Sequence, residues 1–210
     1  MTKEEIIKVI AAEYSNKLKV KGSIFLGKSY KVRTSSDAEN ILSRIRKEYY
    51  DATHHCYAYK LNEGSEKYSD DGEPNGTAGI RILNAIESYS LTDILVVVIR
   101  YFGGTKLGVG PLGKAYGDTA SDLLDSAEKW ELKRYEKIRI DYEYDQTNPV
   151  HFLLNKFDCR QIESGYDENP YITALITPDK LAIFPNELTE KTAGNAHFIS
   201  LKEEVYLRLK

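Results

Sequence analysis

Apolar positions in this chain recur with two periods, and the switches between them divide it into elements. Ile6, Ile7, Val9 and Ile10 share one helical face and predict an opening amphipathic helix that continues the acidic, helix-like start Met1-Thr2-Lys3-Glu4-Glu5. Residues Gly22 to Arg33 alternate with a period of two and predict a strand. Ser36 and Glu39 stand at capping-box spacing ahead of an apolar face of Ala38, Ile41, Leu42 and Ile45, so a helix is expected to about Tyr49. His54 to Leu61 is aromatic-rich and alternating, a strand pattern. Asp70 to Gly79 holds Gly, Pro and Asn too densely for regular structure and reads as a loop, followed by a short helix over Ala78 to Ser88. Asp93 to Phe102 is a near-continuous β-branched run that fits a strand buried on both faces. Beyond the next glycines, Leu112, Ala115, Tyr116, Thr119, Ala120, Leu123 and Leu124 keep helical spacing.

A second unit begins with the alternating stretch Leu132 to Tyr144. It continues with a helix opened by Asn148 and Pro149, strands near Asp158 to Gly165 and Tyr171 to Thr177, a helix near Asn186 to Ala193, and a strand from His197 to Leu207. The order β-α-β-β-α-β is that of a ferredoxin-like α/β sandwich. The boundary is placed between residues 128 and 134, giving domains 1–131 and 132–210 of an α+β chain. Its 210 residues suit two units of about 100 each.

Composition narrows the class. The longest apolar stretch, Ile94 to Ile99, is far short of the roughly 20 residues of a bilayer span. No membrane partner is expected, and the acidic start resembles neither a secretory nor a transit peptide, so the expected location is the cytoplasm. Cys56 and Cys159 lie far apart in sequence and suit buried cytosolic thiols better than a disulfide framework. Residues 1–130 carry 18 basic and 18 acidic side chains, residues 131–210 carry 11 and 14. Within this balance Lys17, Lys19, Lys21, Lys28, Lys31 and Arg33 follow one another without an acid. Such a strip suits either a polyanion contact or an edge strand guarded by lysines.

Two segments carry candidate chemistry. Asp70-Asp71-Gly72-Glu73-Pro74-Asn75-Gly76-Thr77-Ala78-Gly79 sets three carboxylates and three glycines ahead of a helix. The acids could hold Mg²⁺, the amides could receive an anion, or the carboxylates could accept backbone hydrogen bonds and favour the helix dipole. The second segment, Arg100 to Gly113, contains Gly108-x-Gly110-x-x-Gly113. A dinucleotide fingerprint places its first glycine close behind the strand and an acid about 20 residues on, and neither condition is met. A Walker A loop and a Gly-x-Ser-x-Gly elbow are absent. What remains is a glycine-lined concavity with Arg100, Lys106 and Lys114 nearby and Tyr101 and Phe102 at its base, a mixture that suits phosphate and nucleobase; close packing of the glycines is the structural alternative. His54-His55-Cys56 alternates across a strand, so too few ligands converge for zinc, and Cys56 beside His54 lacks a third group for nucleophilic catalysis.

Gly79, Ile82-Leu83, Ile86, Leu91, Val97-Val98, Arg100-Tyr101-Phe102-Gly103-Gly104, Leu107 and Gly108 resemble the signature of the IMPACT family, in its bacterial, YigZ-like branch. His54 to Tyr59 and Asp70 to Gly79 are similar to that family's flanking blocks. The resemblance implies a first domain like the second domain of a small-subunit ribosomal protein, also found as domain four of elongation factor G, and a ferredoxin-like second domain. These fold likenesses imply a translation-linked role with a ribosome or structured-RNA partner; eukaryotic relatives regulate initiation by interfering with activation of a stress kinase, partly through an extra N-terminal domain not expected here, so that mechanism is not carried over. Relatives often carry a further glycine and an arginine where this chain has Pro111 and Lys114, and lysine loses the forked, bidentate contact.

The expected site therefore joins Arg100, Tyr101, Gly103, Gly104, Lys106, Gly108 and Lys114 for nucleic acid or another anion with a partner-orienting loop of Asp70, Asp71, Glu73, Asn75 and Thr77, and with His54 and His55 adjacent. RNA, a ribosome or a translation factor is the expected partner, with no catalysis, metal or cofactor assigned. The competing expectations are a metal-assisted hydrolase that uses Asp70, Asp71 and Glu73 with a histidine base, and a protein-interaction module on the C-terminal sheet.

Overall fold

The computed structural model describes residues 6–209, so the start at Met1 to Glu5 lies outside the described residues. The chain is α+β with two antiparallel sheets and divides into two units at Glu131 and Leu132.

The first unit carries β1 (Ile6–Ile10), β2 (Tyr14–Val20), β3 (Ser23–Lys31), α1 (Ser35–Glu48), β4 (His54–Lys60), β5 (Glu66–Ser69), α2 (Gly79–Ser88), β6 (Ile94–Tyr101) and α3 (Val109–Ser126). Its sheet runs β2-β3-β6-β4-β5, each neighbour antiparallel. β6 sits at the centre and is buried on both faces. Ile94, Val96 and Val98 join Phe25, Cys56 and the apolar stripes of α2 and α3 on one side. Leu95, Val97 and Ile99 join Tyr30, Tyr57 and the Ala38, Leu42 and Ile45 stripe of α1 on the other. The borders are β2, whose Lys17 and Lys19 stand exposed, and β5, which is four residues long.

Two expectations fail here. The opening segment is a strand, not a helix: four of its five residues are β-branched, and Lys8 bridges Leu91 while its carbonyl accepts from Thr92 N at 2.9 Å. The cap of α1 is Thr34, not Ser36. Asp37 N donates to Thr34 Oγ1 at 3.1 Å, and Asp37 Oδ2 accepts from the amides of Thr34 and Arg33, both at 3.0 Å. These bonds hold the Asp37 carboxyl below its ordinary range, the Arg33 amide contributing most. Ser36-x-x-Glu39 matches the box pattern in sequence, but the helix already begins at Ser35 and the reciprocal bonds form earlier, between Thr34 and Asp37.

The second unit follows as β7 (Lys129–Tyr142), which begins three residues before the divide, then α4 (Thr147–Lys156), β8 (Arg160–Tyr166), β9 (Pro170–Ile176), α5 (Pro178–Leu181), α6 (Phe184–Lys191) and β10 (Ala196–Arg208). This sheet has five strands: β10, β7, β9 and β8 lie in that order, antiparallel to their neighbours, and β1 also pairs with the long β7. Ile138, Ile140, Ile172, Ala174 and Ile176 on one sheet face pack on Val150, Leu153, Leu154, Phe184 and Leu188 of the helices.

Candidate functional site

The two motif loops meet at the end of the first sheet, where β4 begins and β6 ends and where His54 stands opposite Arg100. Their side chains have opposite fates.

The acidic loop turns its carboxylates inward. Asp70 Oδ2 accepts from Gly76 N at 2.9 Å, and its Oδ1 accepts from Ala78 N and Gly79 N at 2.9 and 2.8 Å. It thereby supplies the cap that α2 lacks locally, since Ala78 has no side-chain acceptor. Asp71 sits at φ 43°, its Oδ2 accepting from His55 N at 2.7 Å and its Oδ1 from Arg46 Nη2 at 3.3 Å. Both imidazoles are held by carbonyls: His54 Nδ1 donates to Asp71 O at 2.8 Å and His55 Nε2 to Tyr49 O at 3.0 Å. A carbonyl only accepts, so one proton of each ring is assigned. Thr77 is buried and donates to Pro74 O at 2.6 Å, while Asn75 stands exposed. Cys56 donates its Sγ–H to Asp70 O at 3.0 Å, and burial pushes this thiol well above the usual range, away from nucleophilic chemistry.

Glu73 is the joint between the loops. Only 8% exposed, it accepts from Arg100 Nη1 at 2.5 Å and from Tyr116 OH at 2.8 Å through the same oxygen. Arg100 is 5% exposed and donates also to Ser23 Oγ at 3.3 Å. Arg100 was expected at a phosphate; it is instead enclosed beneath the loop and already neutralised. Burial, followed by the neighbouring Cys56 and Glu73, drives the Tyr116 phenol far up, so it stays a neutral donor. A hard cation needs several carboxylate oxygens converging with free lone pairs. Asp70, Asp71 and Glu73 are each engaged by amides, arginine or tyrosine, and among the described residues no three His, Cys, Asp or Glu side chains group around a cation-sized point.

The glycine segment instead stays at the surface. Gly103, Gly104, Lys106 and Gly108 are exposed, and buried Leu107 ties the loop down. Gly108, at φ 82°, is the first cap of α3, which has no acid in its opening turn. The amides of Val109 and Gly110 have no partner within the helix. Tyr101 is half-buried, and its hydroxyl donates to Asp51 Oδ1 at 2.9 Å. Burial and then that carboxylate raise its pKa. Lys114 is exposed but paired one turn on with Asp118 at 2.8 Å.

Tertiary packing adds residues that spacing did not show. The β2–β3 hairpin tip, Lys21-Gly22, lies backbone to backbone with Gly103, where an added Cβ would fall 1.9 Å from Gly22 C. Ser23 Oγ then accepts from Gly103 N at 3.2 Å. Arg81 is exposed on α2 with its Nε 3.5 Å from where a Gly113 Cβ would lie. Lys21 thus stands beside the loop that carries Lys106, Arg81 lies along α3 at Gly113 and Gly117, and none of the three makes an ion pair among the described residues. Lys21 was legible as part of a basic strip, but its place beside Gly103 depends on the hairpin register. A cleft of about 440 Å³ lies elsewhere, against α1 and β5, lined in part by Arg46, Lys47, Tyr57 and Lys67.

The Impact N-terminal domain family matches residues 21–124, a span that contains both loops. An IMPACT family member of Haemophilus influenzae is 33% identical over 75% of this chain and 79% of its own. The IMPACT family member YvyE of Bacillus subtilis is 32% identical over 84% of this chain and 82% of its own. A crystal structure of a hypothetical protein is similar at a TM-score of 0.66 and 28% identity, covering 95% of this chain and 98% of that one. The chain belongs to the IMPACT family. Among the described residues no helix is long and apolar enough to cross a membrane.

Proposed function

We propose that this protein is a translation-linked, non-catalytic regulator that binds RNA phosphate, on a ribosome or in free structured RNA, through the exposed loop Gly103–Pro111. One observation carries the reading: an acid-free helix start follows an exposed glycine loop that bears Lys106 and touches the Lys21-Gly22 tip, with Arg81 alongside the helix at Gly113. Among the described residues none of these cations is in an ion pair, while the carboxylates of the acidic loop are turned inward and bonded. Cations and amides around a glycine backbone suit a polyanion, and burial of the Glu73–Arg100 pair keeps its charges from opposing one. The family resemblance supports the link to translation. The strand order β10-β7-β9-β8 supports a ferredoxin-like second domain, and the β-rich first unit supports the likeness to the ribosomal-protein and elongation-factor domain.

Filter binding of the full chain to ribosomes and to a structured RNA across a salt series tests this. Binding at low salt is expected to weaken as salt rises, and Lys106→Ala is expected to lower the log–log salt slope by about 1. No binding at 20 mM salt, or a slope unmoved by Lys106→Ala and Lys21→Ala together, would overturn it.

A further inference from the structure

We propose that Phe102 is a stacking platform for an unpaired nucleobase, so that the ligand of the glycine loop is single-stranded nucleic acid rather than duplex; this rests on the phosphate-binding reading above and deepens it. Phe102 follows the last residue of β6 and is 47% exposed, although Ile94 to Ile99 of that strand are fully buried. It shares a strand face with Arg100 two positions back, whose guanidinium carbon lies 5.6 Å from the Phe102 ring centre and 5.5 Å from that of Phe25. A layered Phe25–Arg100–Phe102 arrangement results, its middle member fixed by Glu73 and Ser23.

The backbone beneath the ring is equally fixed. Phe102 N donates to Thr53 Oγ1 at 3.0 Å, and the next residue, Gly103, is bonded to Ser23 and pressed on Gly22. A ring held in this way loses little freedom when a flat group lands on it. The chemistry of that group follows from the neighbours. An apolar protein partner would find only Phe102 and Val109 amid glycines and lysines, whereas a nucleotide offers a flat face to the ring and a phosphate to Lys21, Lys106 and the helix-start amides. Bases paired in a duplex are already stacked on each other and do not present that face, so the arrangement selects a single strand. Tyr101, the aromatic residue first expected to stack, is held to Asp51 by its hydroxyl and is less exposed.

The test is fluorescence anisotropy of the full chain with three labelled probes at 50 mM salt: a single-stranded RNA 12-mer, the same strand annealed to its complement, and an abasic 12-mer. The single strand is expected to bind most tightly. Phe102→Leu should weaken it about 5- to 100-fold, from the range of base–aromatic stacking, and leave the abasic strand and duplex unchanged; Phe102→Trp should restore the affinity. Lys106→Ala should weaken all three probes. If Phe102→Leu leaves single-strand affinity unchanged, or weakens the abasic strand equally, stacking is wrong. In that case a loss of all three affinities with Lys106→Ala still upholds the phosphate reading. If the unaltered protein binds none of the probes, both proposals fall.

Discussion

Asp70–Gly79 and Gly103–Pro111 make an instructive pair. Each is rich in glycine, each leads into a helix, and each looked equally ready to hold a ligand. In the first, a carboxylate from within the loop already occupies the amides at the helix start, so the helix end is closed by the protein itself. In the second, the cap is a glycine with no side chain, and no acid in the first turn replaces it as an acceptor for the amides. The difference teaches that a helix N-terminus is available to a ligand only where the chain provides no acceptor of its own.

The contrast can be broken most forcefully at the joint between the loops. Glu73→Ala should leave the Arg100 guanidinium buried without its partner and destabilise the protein by about 3–5 kcal/mol, read from urea unfolding. An unchanged midpoint would mean that the pair holds nothing together. Asp70→Ala strips three backbone amides of their acceptor and should cost about 2–3 kcal/mol by the same measurement; a stability equal to that of the parent protein would free the acidic loop for another role.

Smaller effects sharpen the comparison within the glycine loop. Gly103→Ala forces a methyl group into the Gly22 backbone and should cost about 1–3 kcal/mol in a thermal or chemical melt. Gly110→Ala, with nothing within 4 Å of the added carbon, should stay within about 0.5 kcal/mol of the parent. Equal losses at both positions would contradict the close hairpin contact. Lys106→Ala should change stability by less than about 0.5 kcal/mol while weakening RNA binding, which separates a surface contact from scaffold.

Much of the architecture was legible because burial leaves a direct trace in sequence. The β-branched run around Val97 could be satisfied only by a strand covered on both sides, and the stripe from Leu112 to Leu124 only by a helix. The opening strand reads as a helix in sequence because Ile6, Ile7, Val9 and Ile10 satisfy a helical face as well as a short strand, and its partners, β7 and residues 91 and 92, lie far along the chain. The site was legible as a pair of loops but not as a division of labour. That Arg100 answers Glu73 rather than a ligand depends on a contact across 27 positions, and that Lys21 joins the loop depends on two glycines whose backbones touch. Spacing along a chain carries no trace of either.

The borders of the first sheet have a bearing on how the protein meets others. A foreign strand that tried to extend the sheet would have to line up beside the exposed lysines of β2 or find purchase on the four residues of β5. One rim is guarded by charge and the other is too short to serve as a template. Association through this half of the molecule is therefore steered away from ladder growth and toward recognition by side chains and loops, a form of contact that can be released as readily as it is made.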